Sequence, residues 1–402
     1  MASVAVIGGG PAGLIAAEKL AEAGIRVSVY DRKPSLARKF LMAGRGGLNL
    51  THSEDLSTFL LRYGAAEKHL APYINAFTPA ALRDWCEGLG EPVFVGSSGR
   101  VFPKSMKASP LLRAWQQRLA KLGVEFRLQR DWRGWNDQGA LVFMNAEGAE
   151  ETATPDATLL ALGGASWPRL GSDGGWTKYL ADKKITVSPL RPSNCGFTVQ
   201  WSDVFRAKYA GQPVKPVSLS FGGQRVAGEA MLTDKGIEGG AVYALSAALR
   251  EAIAKNGSAQ LQIDLKPGLE QADLASRLTE SRRGRSLSNF LRQEAALSPA
   301  AIGLLQENQS AKTLPPDALA ALIKSFPITL TGTFDIDRAI SSAGGITWDE
   351  VDDNLMLRRL PAVFAAGEML DWEAPTGGYL LQACFSTGIA AAQGILLFLK
   401  DK

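Results

Sequence analysis

The sequence predicts an α/β fold in which the two ends of the chain build one domain, with an antiparallel β domain and a helical sub-domain inserted between them. Three observations lead there. Residues 3–7, SVAVI, read as a short buried strand that runs into a glycine-rich turn and an apolar-periodic helix. Residues 362–366 read as another such strand, again followed by a glycine-rich turn, with a helix from about Leu380. Between them, after about residue 190, the texture changes to short alternating segments such as KPVSLSFGG and AQLQIDLKPG, which suit antiparallel strands. The expected boundaries are 1–190 with 335–402 for the first domain and 191–267 with 328–334 for the β domain. The helical sub-domain takes 268–327, where the pattern turns helical and charged.

The composition is that of a globular chain: 402 residues, 46% hydrophobic and 21% charged. This excludes a disordered chain, a fibrous repeat and a small disulfide scaffold. Apolar runs such as residues 388–399 fall short of the ~20 residues a membrane span needs, so no membrane partner is expected. The first residues carry no basic stretch ahead of an apolar one, so no signal peptide is expected. Cys86, Cys195 and Cys384 have no close pair, which points away from disulfides and a CxxC centre and toward a reducing cytoplasm. With His52 and His69 as the two histidines, no metal site is expected. The net charge of +4 permits an anionic ligand or partner.

The strongest signal is Gly8-Gly9-Gly10-Pro11-Ala12-Gly13, which fits G-x-G-x-x-G. The helix after it ends at Gly24, and a second strand, IRVSVY, closes on Asp31. Strand, turn, helix and acid together form a Rossmann-like dinucleotide unit. Gly8 permits the tight turn, Gly10 lets a pyrophosphate approach the backbone, and Gly13 lets the helix lie close to the strand. The helix N-terminus offers free N–H groups and the positive end of a dipole. Asp31 accepts from ribose hydroxyls, with Arg32 and Lys33 beside it. A glycine-rich turn that binds nothing is the plain alternative, and the full context argues against it.

The other end selects FAD over NAD. Gly367-Glu368 closes the strand of residues 362–366, and Thr376-Gly377-Gly378 leads into the final helix, whose N-terminus would face the flavin pyrimidine. Residues 124–164 read as a small meander with turns at Asn136-Asp137 and Glu147-Gly148, ending in the buried strand ATLLALGG. Ala161, Gly163 and Gly164 there allow close backbone approach to the cofactor, or simply make a tight strand exit. Trp167 either stacks on the cofactor or caps that strand. No second G-x-G-x-x-G unit follows, so NADH or NADPH enters the expectation as a transient electron donor rather than the tenant of its own domain.

Seven collinear blocks carry a family resemblance: VAVIGGGPAGLIAAEKLAEAG, RKFLMAGRGGLNLTHS, GRVFPKSMKAS, LALGGASWPRLGSDG, GEAMLTDKGIEGG, SSAGGITWDEVD and VFAAGEMLDWEAPTGGYLLQACFSTG. Over nearly its whole length the chain resembles the BaiN/RdsA-like FAD-dependent oxidoreductases. The resemblance implies a glutathione-reductase-like FAD domain interrupted by a β domain with a helical insertion, and non-covalent FAD. It implies that Gly8, Gly10, Pro11, Ala12 and Asp31 hold the AMP half. It further implies that Lys39 to Asn49, including Phe40, Met42, Gly44, Arg45, Gly46 and Gly47, line the flavin. Gly367, Glu368, Gly378, Tyr379 and Leu380 would hold ribityl and ring. Departures mark a divergent branch: the stretch Gly44 to Asn49 displaces the family's arginine and lacks its cysteine, Leu380 replaces an asparagine, and Lys235 to Gly240 replaces a Tyr-Gly-Ile-Ser-Gly-Pro run.

Family members act on amines, conjugated enones or uridine in ribosomal RNA. Three classes of function follow: a small-molecule flavin oxidoreductase, which is favoured, an RNA-modifying reductase, and a non-catalytic FAD-binding protein. The cluster Arg282-Arg283-Gly284-Arg285 admits RNA and reads equally as a solvated helix end. Candidate catalytic residues are Tyr379, Arg45, Arg100 and Lys104. Tyr379 either donates a proton or packs on the ring. Arg100 and Lys104 either steady an anion or form salt bridges. Glu368 reads as a ribityl ligand, Cys384 as core, and His52 as a loop histidine. A substrate cleft is expected at the domain boundary.

Overall fold

The computed structural model describes residues 1–282 and 284–402, with Arg45 described through its backbone alone. The chain forms two compact units, Met1–Arg191 with Ser341–Lys402, and Pro192–Ile340. The second crossing lies later than the expected 334. Phe334 N–H donates to Gly196 O at 2.8 Å, and Ala339 is buried in the second unit's core, so residues 335–340 stay with that unit.

The first unit is built on a five-stranded parallel sheet. Its order is Val363–Ala365, Ala157–Leu160, β1 (Ser3–Ile7), β2 (Arg26–Asp31) and Glu125–Leu128. Val4, Ala5, Val6 and Ile7 are each no more than 2% exposed, as a strand covered on both faces requires. The central place of β1 sets the C-terminal ends of three strands side by side, so the segments after Ile7, Leu160 and Ala365 converge at one edge.

Helix α1 (Pro11–Glu22) starts with proline in its first turn and buries Leu14, Ile15 and Leu20 completely, each worth roughly 1.5–3 kcal/mol. It stops where Gly24 adopts φ +79°, with Ile25 N–H returning to Leu20 O at 3.1 Å. Buried Glu18 anchors α1 to two neighbouring helices. Its carboxylate accepts from Trp115 Nε1 at 2.6 Å, Trp85 Nε1 at 3.2 Å and Arg118 at 3.0 Å. A carboxylate so deeply buried is tolerable only with such a donor set.

The last helix, Tyr379–Lys400, lies along α1. A Cβ on Gly388 would come within 2.4 Å of Ala12 O, so glycine sets that close approach. At 22 residues this helix is long and apolar enough to cross a membrane, which corrects the expectation that no apolar stretch reaches that length. Most of it is buried as a core helix.

The second unit holds a seven-stranded sheet. Its antiparallel pairings link Phe326–Leu330, Ala259–Asp264, Pro213–Phe221, Gln224–Leu232, Gly236–Glu238, Phe197–Thr198 and Gly332–Thr333 in that order. Leu274, Phe290, Leu304 and Ile323, from the helices of residues 271–324, share one buried cluster with the sheet residues Leu261 and Ile263. The helical stretch therefore has no core of its own.

Candidate functional site

A cleft open to solvent lies where the three parallel strands end. Its floor is the turn after β1, where the three fingerprint glycines have three different surroundings. A Cβ on Gly8, at φ +109°, would meet Ala161 O at 2.2 Å, and one on Gly13 would meet Gly8 O at 2.0 Å. Gly8 is demanded by the exit of the neighbouring strand Ala157–Leu160, and Gly13 by the packing of α1 on the turn. A Cβ on Gly10 would meet nothing within 4 Å, because it points into the cleft over the uncapped N-terminus of α1. Glycine there keeps space open for a ligand, and the helix end supplies the donors and dipole an anion needs.

Asp31 stands at the end of β2. Its Oδ2 accepts from Gly9 N–H at 3.0 Å and its Oδ1 from Lys33 N–H at 2.8 Å. Burial raises its pKa above the ordinary carboxylate value, against the lowering effect of those two bonds. Arg32 continues the wall, paired with Asp173 and, at 3.4 Å, with Asp131. The wall is completed by Arg130, Trp132, Trp176 and Tyr179. Trp176 Nε1 donates to Gly163 O at 2.9 Å. Two buried donors on cleft residues, Trp132 Nε1 and Arg38 Nε, have no hydrogen-bond partner among the described residues. Such groups are costly without an acceptor.

The opposite end is set by Gly367 and Glu368, which follow Val363–Ala365. Glu368 is held from three sides: Lys39 Nζ at 2.7 Å, Ser342 N–H at 2.9 Å and Gly164 N–H at 3.3 Å. Lys39 also donates to Ser166 Oγ at 2.6 Å, so helix α2 (Arg38–Ala43) is tied to both loops. Cys384 reaches the cleft rather than lying wholly in the core, as the sequence reading expects. Burial pushes its thiol up to about 12, which keeps it protonated and unreactive.

The cleft thus gathers Gly8, Gly10, Pro11, Ala12, Asp31, Arg32, Lys39, Phe40, Ala161, Gly163, Gly367 and Glu368. Gly13 sits behind it, Lys33 serves through its N–H to Asp31, and Gly164 is packed against Ser342. Met42, in the last turn of α2, and Gly44, Gly46, Gly47 and Asn49 beyond it lie outside the cleft lining, and the side chain of Arg45 lies outside the described residues. Asn49 donates to Thr51 O and Val101 O, while its buried Oδ1 has no partner among the described residues.

Several expected site residues stand away from this cleft. Trp167 does not line the cleft, because the 3₁₀ turn Pro168–Leu170 carries the chain back and brings Trp176 there instead. Gly377, Gly378, Tyr379 and Leu380 also stay outside it. The Tyr379 hydroxyl donates to Glu54 Oε1 at 2.6 Å, its ring packs on Phe59 at 4.8 Å and His52 at 5.6 Å, and its pKa is raised by burial first and by Glu54 second. Burial disfavours the charge on Glu54, yet bonds from Arg62 and Tyr379 outweigh it and lower its pKa. Arg100 and Lys104 stand exposed on a hairpin and form no salt bridge among the described residues. Sequence reasoning missed Gly9, Arg38, Arg130, Trp132 and Trp176. The alternating meander after residue 124 signals a wall, although not which face points inward.

Residues 2–394 match the HI0933-like protein Rossmann domain. The chain belongs to that family. This HI0933-like chain is similar to the 3-dehydro-bile acid delta(4,6)-reductase of Clostridium scindens, at 25% identity over 98% of both chains. It is similar to the ribosomal RNA dihydrouridine synthase of Haemophilus influenzae, at 23% identity over 97% of both. It shares its fold with the 3-ketosteroid-delta4-(5alpha)-dehydrogenase of Rhodococcus jostii RHA1, with a TM-score of 0.52 and 14% identity over 98% of this chain and 96% of that one. The HI0933-like unit is a Rossmann-like FAD-binding domain of the flavoprotein oxidoreductase class.

Proposed function

We propose that this chain is an FAD-dependent oxidoreductase acting on a small organic substrate of the amine or conjugated-carbonyl class. The observation that carries the reading is the continuous cleft from Asp31, over the open face of Gly10, to Glu368. Its residues fit FAD: an anion cradle at a helix N-terminus and unpartnered buried donors on Trp132 and Arg38, with an unpartnered buried acceptor, Asn49, on the segment that follows α2. When bound, FAD supplies hydride exchange at its N5 position.

The chain's residues then have separable tasks. The N–H groups of α1 and Arg38 hold the pyrophosphate, and Asp31 accepts from the adenosine ribose. Trp132 and Trp176 wall the adenine end. Glu368, fixed by Lys39, accepts from the ribityl chain. Asn49, whose Oδ1 is unpartnered, would accept from an N–H of the flavin ring. NADH or NADPH serves as the transient electron donor.

Reduction of a base in RNA is the alternative, suggested by a relative of that name. The basic cluster offers it little support. Arg285 is paired with Glu294 at 2.9 Å, and Arg282 donates to Lys312 O at 3.3 Å. Arg283 lies outside the described residues.

Visible absorbance of the purified protein, before and after soaking with excess FAD, tests the cofactor. Anaerobic mixing with NADH or NADPH then tests the donor, and reoxidation by an enone, or direct bleaching by an amine, separates the substrate classes. A preparation that stays colourless in excess FAD overturns the proposal.

A further inference from the structure

Past the end of Ala157–Leu160 the chain doubles back as a strap along one wall of the cleft. Trp167, at φ +61°, and the turn Pro168–Leu170 reverse its direction, and Gly171, Ser172, Asp173 and Trp176 then line the cleft. One side of the strap is fixed to the exit of Ala157–Leu160. Ser172 Oγ donates to Gly164 O at 2.9 Å, Gly174 N–H donates to the same oxygen at 3.1 Å, and Trp176 Nε1 donates to Gly163 O at 2.9 Å. Ser172 and Trp176 are both buried, so their bonds are shielded from water.

The other side meets the exit of β2. Asp173 is ion-paired with Arg32, and a Cβ on Gly171 would lie 3.3 Å from Lys33 Cγ, so strap and exit touch there. β1 lies between Ala157–Leu160 and β2 in the sheet. The strap therefore runs from one neighbour of β1 to the other, past the turn Gly8–Gly13. Among the described residues, no hydrogen bond besides the Arg32–Asp173 contact ties residues 167–176 to Asp31–Lys33. This second attachment is the weaker one. Its two side chains are 31% and 35% exposed, and Asp131, 3.4 Å from Arg32, offers the guanidinium another carboxylate. Gly171 and Gly174, at φ +114° and +68°, bracket Asp173 and supply the bends of the strap.

We propose that this strap is a gate alongside the adenosine end of the cleft, and that the Arg32–Asp173 pair is its latch, setting how fast FAD exchanges rather than how tightly it is held. This deepens the proposed function and rests on the reading that FAD lies in this cleft. Asp173 is a positioning residue, which acts on the cofactor through Arg32 and the strap. The strap swings on its buried side when the exposed pair parts. A pair that holds the gate shut equally with and without cofactor lowers the free energy of both states by the same amount. It therefore cancels from the affinity and remains in both rates. A direct contact with the cofactor behaves otherwise, because its loss speeds release and leaves association nearly unchanged.

The test is stopped-flow exchange of FAD, read by flavin fluorescence rather than by turnover. Association is followed on adding FAD to the stripped protein, and release on diluting the loaded protein. Asp173→Asn removes the charge and keeps the Oδ1 acceptor that Gly175 N–H uses at 3.0 Å. Both rates rise together by about fivefold, the most an exposed ion pair supplies, and the Kd stays within about twofold of the parent. Asp173→Glu restores the charge and returns both rates toward the parent. Asp173→Ser, which also keeps an oxygen for Gly175 N–H, carries the same expectation as Asp173→Asn if the melt of the amide variant shows a damaged fold. Parental rates in a folded, uncharged variant overturn the gate. So does a rise in release alone with affinity falling in step, which makes Asp173 a cofactor contact. FAD absorbance on the same samples keeps the two readings apart. A yellow protein whose exchange ignores Asp173 overturns the gate alone, whereas a protein that takes no FAD overturns the proposed function and the gate with it.

Discussion

Two glycine-rich turns, Gly8–Gly13 and Thr376–Gly378, look alike in the sequence: each follows a parallel strand and opens a helix. Their surroundings differ. At the first, Gly10 faces open space and the helix end looks into the cleft. At the second, a Cβ on Gly378 would lie 2.5 Å from the Thr51 backbone, and one on Gly377 would lie 2.5 Å from the Tyr379 ring. Glycine marks a ligand's approach in one case and the chain's own crowding in the other. A glycine-rich turn before a helix is therefore evidence of closeness, and the neighbour has to be found separately.

The largest expected effect tests that contrast. Gly378→Ala and Gly8→Ala both force a side chain into backbone at positive φ, and each should lose about 3–5 kcal/mol of stability or fail to fold. Thermal melts of the unliganded protein decide it, and a Gly378→Ala protein that melts like the parent breaks the comparison. Gly10→Ala should behave oppositely. It keeps its fold to within about 1 kcal/mol, the scale of a cap change, and loses tenfold or more in FAD affinity. Fluorescence titration with FAD alongside a melt reads both quantities.

A third expectation concerns pH at the first turn. Burial raises the folded pKa of Asp31 above 3.8, so the folded chain holds this proton more tightly than the unfolded one. Its contribution to stability is present below 3.8 and is withdrawn as pH rises through the folded value. FAD affinity runs the other way, because the accepting carboxylate is lost as pH falls through that same raised value. FAD should therefore leave while the protein still melts cooperatively, and retention of FAD until the fold is lost would remove Asp31 from the site. The smallest effect is at the second turn. Tyr379→Phe removes one bond to Glu54 and should cost about 1–2 kcal/mol in a melt, with flavin bleaching by NADH or NADPH within about twofold of the parent. A large kinetic loss would return Tyr379 to a catalytic role.

Much of the first turn was legible because its determinants are local. Strand, glycines, helix and Asp31 lie within 31 residues, and the bond from Gly9 N–H to Asp31 spans 22 positions. The adenine-end wall was not. Trp132 comes from a meander in which either face could turn inward, and the Trp176 indole finds Gly163 O only after an intervening turn. The anchoring of Glu18 by Trp85 and Trp115 joins residues up to 97 positions apart, and nothing in its helix announces it. Family resemblance supplied the role of Glu368, but not the grip of Lys39 upon it, which spans 329 positions. Contacts of that kind carry no periodicity for a sequence to display.

The strand that begins at Val363 reaches β1 through Ala157–Leu160, and α1 is clamped by a helix that carries Gly388. At a synthesis rate of about 5–20 residues per second, the turn after β1 leaves the ribosome tens of seconds before the strand and helix that brace it. Through that interval the nascent chain holds a recognition sequence without a receptor. The bracing of that turn is thus completed only after translation has passed the final helix.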